Sequence, residues 1–193
     1  MTYPATFTFD PPEKVANWRP LMQWLLAIPH FIISYILNIG ASVCVLISWV
    51  VIVITGKLPQ GLANFICMTN RYQTRITAYV GFLHAEYPPF DFTTSGADPG
   101  GQPVRVDFEP ALNNRSRLTV LFRAIWAIPA MIFFYIILLV AQLLWILAFF
   151  AVLFTGKWPT GLLDFVQGAM RVSTRFTAYI TLLTDEYPPF ETA

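Results

Sequence analysis

WLLAIPHFIISYILNIGASVCVLISWVVIVI, residues 24–54, contains no Asp, Glu, Lys or Arg. AIWAIPAMIFFYIILLVAQLLWILAFFAVLF, residues 124–154, repeats that property. Each run is 31 residues long, well beyond the ~20 that a helix needs to cross hydrocarbon. The surrounding composition agrees. Of the 193 residues, 56% are hydrophobic and 12% charged, against roughly 25% charged in soluble domains. The reading is an integral membrane protein. A net charge of +1 provides no electrostatic footprint for nucleic acid. The start, MTYPATFTFDPPEK, has no basic stretch followed by a short apolar core and a small-residue cleavage site, so no cleaved signal is expected. Cys44 and Cys67 lack the short spacing of a metal site or a disulfide framework and read as packing residues.

The chain is also a duplication. At a constant offset of 100 residues, LAIPH (26–30) aligns with WAIPA (126–130), and TGKLPQGLANF (55–65) with TGKWPTGLLDF (155–165). RYQTRITAYVGFLHAEYPPF (71–90) aligns with RVSTRFTAYITLLTDEYPPF (171–190). Upstream, YPATFTFDPP resembles QPVRVDFEPA at an offset of 99. A repeat of this kind signals two structural units: repeat 1 over 1–90, a linker over 91–103 and repeat 2 over 104–193.

The joined motifs, AIP, a long apolar run, TGKxPxGLxxF, RxxxRxTAYxxL and EYPPF, resemble the bacterial membrane-protein family known as domain of unknown function 4389. The resemblance covers nearly the whole chain. It implies a tandem membrane architecture and a bacterial inner membrane, and it implies no activity. Repeat 1 departs from the pattern at Ala85 and Asn64, where repeat 2 has Asp185 and Asp164.

Within one unit, Thr6–Phe9 and Val104–Phe108 alternate apolar and polar residues, the period of a half-buried strand. A lone strand is marginal, so the two are expected to pair with each other or with a partner. A helix from Pro29 to Ile54 would be about 39 Å long, enough to span. TGKxPxG supplies turn chemistry: Gly56 to end a helix, Lys57 near its negative end, Pro59 to begin the next. As a phosphate loop, TGK lacks the remaining glycines and the strand context.

Gly61 to Leu83 reads as an amphipathic helix, with Leu62, Phe65, Ile66, Ile76, Val80 and Leu83 on one side and Asn64, Arg71 and Arg75 on the other. Pro88-Pro89 is expected to stop it. Glu86 and Glu186 would then oppose the helix dipole, with Arg19, Arg115, Arg117 or Arg123 as partners or water as solvent.

The fold class expected is therefore an all-α integral membrane protein of two tandem helical hairpins, four membrane-embedded helices in all, each hairpin preceded by a short β-strand. Two passes per unit place both strands, both EYPPF motifs and both termini on one side. Lys14, Arg19, Arg105, Arg115, Arg117 and Arg123 make that side cytoplasmic. A rival keeps the same parity. In it, each apolar run folds as a re-entrant hairpin and the amphipathic helix lies flat on the same face.

Four arginines are the best functional candidates. Arg71 with Arg75, and Arg171 with Arg175, stand at i and i+4, where two guanidinium forks project from one helix face toward a phosphate or carboxylate. The ligand would be an anionic lipid, an anionic solute or an acidic partner. The bland alternative is snorkelling, or pairing inside the fold. Tyr87, Phe90, Tyr187 and Phe190 suit interfacial anchors, and Ser34, Asn38 and Ser42 form a polar stripe for helix packing. His30 and His84 have no base, nucleophile or metal constellation around them, and repeat 2 carries Ala130 and Thr184 there. No catalytic residue, metal or cofactor is expected. The function expected is a non-catalytic membrane subunit or scaffold, with lipids and other membrane subunits or a second copy as partners. The alternative is a small oligomeric anion channel or carrier.

Overall fold

The computed structural model describes residues 3–192. Each long apolar run divides at an alanine. In repeat 1, α1 (Arg19–Leu26) is followed across Ala27 by α2 (Ile28–Thr55), then by α3 (Gln60–Val80). In repeat 2, α4 (Arg117–Leu121) and α5 (Arg123–Trp126) precede α6 (Ile128–Thr155) and α7 (Thr160–Ile180). Two strands, β1 (Ala5–Phe9) and β2 (Val104–Phe108), stand before the two sets of helices.

Proline fits the first turn of α2 and of α6, where its missing N–H would have no partner anyway. Both helices end on a left-handed glycine, Gly56 at φ 72° and Gly156 at φ 66°, a conformation that costs glycine no steric strain. Between these ends α2 and α6 are uninterrupted over 28 residues. The apolar runs therefore do not double back on themselves as the re-entrant alternative required.

The ends of α3 and α7 differ from expectation. The prolines at 88 and 89 do not stop α3, which closes eight residues earlier. Phe82 N–H bonds to Tyr79 C=O at 2.8 Å and Leu83 N–H to Ala78 C=O at 3.1 Å. This is a Schellman closure with a phenylalanine, φ 48°, in the left-handed position. Leu182, φ 65°, does the same for α7. Because the helices end so early, Glu86 and Glu186 do not sit on a helix terminus, and both are exposed.

The two strands pair with each other, antiparallel, with Ala5 opposite Phe108 and Phe9 opposite Val104. The ribbon lies over α3 and α7, with β2 against α3 and β1 against α7. These two helices are antiparallel. Asn70 Nδ2 of α3 reaches Thr181 Oγ1 just beyond α7 at 3.2 Å, and a small cavity is lined by Asn70 and Thr77 on one side and Met170 and Thr177 on the other. The inner face of the ribbon (Phe7, Val104, Val106, Phe108) meets Ile66, Leu83, Val166 and Leu183 in the core.

The repeats are interleaved rather than side by side. The segment ahead of α1 docks on the second repeat's turn: Val15 N–H bonds to Gly156 C=O at 2.8 Å and Asn17 Nδ2 to Leu153 C=O at 2.9 Å. The segment ahead of α4 docks on the first: Arg115 N–H bonds to Gly56 C=O at 3.0 Å and Leu58 N–H to Leu112 C=O at 2.8 Å.

Two helices, α2 and α6, are long and apolar enough to cross a membrane. Only 17% of the most apolar window of each is buried, which a core helix of a soluble protein does not show. Ile36 on α2, Leu139 and Phe154 on α6, Trp24 on α1 and Trp126 on α5 all stand exposed. A continuous apolar surface of this extent marks contact with lipid or with another protein.

Candidate functional site

The four arginines of α3 and α7 lie under the ribbon, and the two pairs have different surroundings. Spacing places Arg71 and Arg75 one turn apart on the α3 face that carries Cys67, Ala78 and Tyr79, and that face is buried. Of the readings open from the sequence, an anion-binding face or pairing inside the fold, the structure has pairing for Arg71 and Arg75, with Asp91 and Asp98 as the carboxylates. The linker 91–103 is what covers that face. Arg71 Nη2 donates to the carbonyls of Ser95 (2.8 Å), Gly96 (2.7 Å) and Ala97 (2.9 Å). Its Nε donates to Val106 C=O of β2 at 3.0 Å. Arg75 Nη2 meets Asp98 Oδ1 at 2.8 Å and its Nη1 meets Asp91 Oδ2 at 3.1 Å.

Asp98 is the centre of this arrangement. Its side chain is 3% exposed, and Oδ2 lies 3.6 Å from Arg71 Nε. The same oxygen accepts Val106 N–H at 2.8 Å, and Oδ1 accepts Gly100 N–H at 2.8 Å. Burial pushes the Arg71 guanidinium below its ordinary pKa, and Asp98 opposes that shift. Burial alone would raise the Asp91 carboxyl, but hydrogen bonds from Thr93 and Arg75 hold it below its usual value. Two cations and two carboxylates thus neutralise one another in a partly dry layer. Removing one partner of such a group costs about 3–5 kcal/mol.

The second pair is more open. Arg175 Nη1 reaches the Glu191 carbonyl at 3.4 Å and Glu191 Oε1 at 3.9 Å, so Glu191 stands where Asp91 stands in repeat 1. Arg171 is half-buried. A cavity of about 200 Å³ between β1 and α7 is lined by Tyr3, Thr6, Thr8, Arg171 and Arg175. Tyr3 Oη closes one end, donating toward the Arg175 and Glu186 carbonyls at 3.3 and 3.1 Å.

A further ionic cluster went unassigned in the sequence. Arg115 grips Asp185 with two bonds, Nη2–Oδ1 at 2.7 Å and Nε–Oδ2 at 2.9 Å. Arg123 Nη2 meets Oδ1 at 2.5 Å, and Ser116 N–H adds a bond at 2.9 Å. Burial would raise the Asp185 carboxyl, but these donors hold it below the usual range. Arg115 and Arg123 thus serve Asp185, not Glu186, because the early end of α7 brings residue 185 inward. In repeat 1 the same place lacks the carboxylate: Gln23 Nε2 donates to His84 C=O at 2.7 Å, as Arg123 Nη1 donates to Thr184 C=O at 3.0 Å, Ala85 replaces the aspartate, and Arg19 is the charge near His84 and Tyr79. The offset of 100 residues could have signalled it, since Gln23/Arg123 and Ala85/Asp185 change together.

Tyr87, Phe90, Tyr187 and Phe190 are all exposed by 40% or more. Tyr87 and Phe90 flank the His30 ring, at 4.8 and 4.4 Å between centroids, and His30 Nδ1 is 2.7 Å from Tyr72 Oη. Phe190 meets Phe133 of α6 edge-on. The polar stripe of α2 is arranged differently from the expected packing face. Asn38 Nδ2 bonds back to Ser34 C=O and Ser42 Oγ to Asn38 C=O within their own helix, and Asn38 and Ser42 are exposed. The buried face of α2 instead carries His30, Ser34, Ala41, Ser48 and Ile52.

Neither the curated proteins nor the solved structures hold a match to this chain. The family described as Domain of unknown function (DUF4389) matches it twice, over residues 17–91 and 117–191. These segments take in α1–α3 with the first EYPPF and α4–α7 with the second, and leave the ribbon outside. The chain belongs to this family as a tandem of two copies.

Proposed function

We propose that this chain is a non-catalytic membrane scaffold, embedded from one face of the bilayer, whose ribbon-covered side holds other proteins. The observation that carries the reading is the separation of surfaces. α1, α2, α5 and α6 expose bulky apolar side chains, while α3 and α7 lie beneath a two-stranded ribbon and a Gly-rich polar linker.

The ribbon restricts how the helices enter the membrane. β1 and β2 are hydrogen-bonded, so they share one side, and α2 and α3 between them both cross or neither does. α3 runs alongside the ribbon throughout. Leu58 at its start bonds to Leu112, just past β2, and the ring of His84 past its end lies 6.5 Å from that of Phe9 in β1. A crossing α3 would draw open strand edges and the 91–103 backbone through hydrocarbon, where unpaired N–H and C=O groups each cost several kcal/mol. Insertion from one side avoids this. It keeps the flat amphipathic helix of the rival reading without the broken apolar run. With the ribbon outside the bilayer, Lys14, Lys57, Arg105, Arg117 and Lys157 share its face, and the positive-inside rule makes that face cytoplasmic. The arginines of repeat 1, which a channel would need along its path, are capped by the linker.

Two measurements test this. In a Cys44/Cys67-free background, Lys57→Cys and Arg105→Cys should react with a membrane-impermeant maleimide from the same side of sealed vesicles. Reaction from opposite sides would refute one-sided insertion. Native mass spectrometry of particles extracted from the membrane of origin should show a heteromeric mass. A homo-oligomer carrying only lipid would refute the scaffold.

A further inference from the structure

The two glycine turns that close α2 and α6 gather positive charge from both repeats. Arg117 Nε lies 3.4 Å from where a Cβ on Gly56 would stand, and Lys14 Cε lies 3.4 Å from the same point on Gly156. Lys57 and Lys157 follow the two glycines directly. Each turn therefore presents two cations, one of its own repeat and one brought by the docked segment of the other. All four side chains are exposed, and among the described residues no hydrogen bond or ion pair reaches their charged groups.

An apolar cleft leads away from each turn. On α2, Trp49 and Ser42 stand seven and fourteen residues before Gly56, on one face of the helix and about 10 and 21 Å along it. Together with Val45, Leu46, Leu121 and Ala124 they line a cavity of about 420 Å³. Leu121 is one turn from Arg117 on α4, so the cation stands at the Gly56 end of the cleft. Trp49 Nε1 donates to Val120 C=O at 3.1 Å, which fixes that wall. Arg123 also lines the cavity, with its guanidinium held by Asp185. On α6, Gln142, Trp145, Ile146 and Phe149, each 100 residues after its counterpart, line a second cavity of about 370 Å³. Both clefts are bordered by exposed apolar side chains, Leu46 and Leu121 at the first, Ile146 and Phe150 at the second.

Positive charge without a counter-ion at one end and an apolar slot at the other complement an amphiphile with an anionic head. A cation at a helix C-terminus is also favoured by the helix dipole, but that effect accounts neither for the second cation on each turn nor for the cleft beside it. We infer that each glycine turn binds one anionic phospholipid, with its phosphate between Lys57 and Arg117 at the first turn and between Lys157 and Lys14 at the second, and an acyl chain in the adjoining cleft. The inference is separate from the scaffold reading, because it requires only that α2 and α6 meet lipid.

The full chain in detergent micelles, titrated with phosphatidylglycerol or phosphatidylcholine of equal chain length, should retain two lipids by native mass spectrometry and prefer the anionic one. Lys57→Gln with Arg117→Gln should lower that preference at the first site by about 25-fold, about fivefold per cation removed. The melting temperature should not change, since both side chains are exposed and hold nothing in place. Lys14→Gln with Lys157→Gln should do the same at the second site. Ala124→Trp gives the first cleft the residue that repeat 1 has at Trp24 and fills it without touching a charge, so one lipid fewer should be retained. Equal retention of the two lipids, or a preference that the glutamine variants leave unchanged, overturns the inference. A lower melting temperature with the same lipid preference assigns the cations to the helix ends and overturns it as well. Displacement of the lipid by equimolar inorganic phosphate overturns it in favour of a free phosphate. Full retention in folded Ala124→Trp overturns the acyl cleft.

Discussion

Asp98→Asn removes one charge from the layer above α3 and nothing else, and its cost follows from four contacts. Oδ1 accepts Arg75 Nη2 and Gly100 N–H, while Oδ2 accepts Val106 N–H and faces Arg71 Nε. An asparagine has one acceptor oxygen. Whichever way the amide turns, its NH2 opposes two donors, and Arg71 and Arg75 lose the carboxylate they share, leaving Asp91 on Arg75 and the more distant Asp107 near Arg71. Breaking a buried pair this way costs about 3–5 kcal/mol. For a chain of this size, each kcal/mol lowers the melting temperature by about 2–4 °C, so a fall of about 6–20 °C is expected. The measurement is thermal unfolding in detergent micelles followed by intrinsic fluorescence. Glu191→Gln, at the corresponding place in repeat 2, is the control. The Glu191 side chain is 62% exposed, and exposed pairs are worth about 1 kcal/mol at most. A fall for Asp98→Asn no larger than for Glu191→Gln would refute the reasoning that the linker is an internal counter-ion.

Asp185→Asn should cost about 3 kcal/mol at neutral pH, because Arg115 and Arg123 lose their shared partner. The folded Asp185 carboxyl lies below its ordinary pKa, so its contribution is complete above about pH 4 and is lost as pH falls through the folded value. Melting curves of the two proteins should therefore differ constantly from pH 5 to 8 and converge in acid. Burial lowers His84 to about 4, so the unfolded chain takes up a proton first. Stability should fall by up to about 3 kcal/mol between pH 6.5 and 4, then level. His84→Thr, the residue of repeat 2, should flatten that slope in a pH series of unfolding titrations. Gly81→Ala would place its Cβ 2.6 Å from the Trp145 ring, whose Nε1 donates to Gly81 C=O at 3.0 Å. Overpacking of this kind costs about 1–3 kcal/mol and should shift the Trp145 indole resonance.

The long helices were legible because their signals are local: unbroken apolar runs, a proline in the first turn and a glycine that accepts φ above zero. The strands were legible from period-2 alternation. What the sequence hid were contacts that close at a distance. The ends of α3 and α7 were misread because the left-handed position is held by Phe82 and Leu182, residues that ordinarily avoid it. Tertiary packing holds them there: Phe82 stacks on Trp158, with centroids 5.3 Å apart, and Leu182 lies in the core. The arginine pairs were found from their i, i+4 spacing, and pairing inside the fold stood as the alternative, yet the partners were not found, since the covering segment 91–98 looks like a polar linker until Asp98 is seen between the guanidinium groups. Asp185 was noticed only as a departure between repeats, and its partners were assigned one residue along.

The exchange of strands between the repeats has a consequence for protein engineering. Each amphipathic helix is roofed by the strand that belongs, in chain order, to the other repeat: β2 opens repeat 2 and covers α3, while β1 opens repeat 1 and covers α7. Severing the linker would therefore yield two half-molecules, each with a bare arginine helix and a strand reaching for a surface it lacks. A chain with one such repeat satisfies both only by reciprocal strand donation with a second copy. The tandem is in effect that strand-swapped dimer written as a single polypeptide, and the covalent link itself, residues 91–98, supplies the acidic clasp over the arginines of α3.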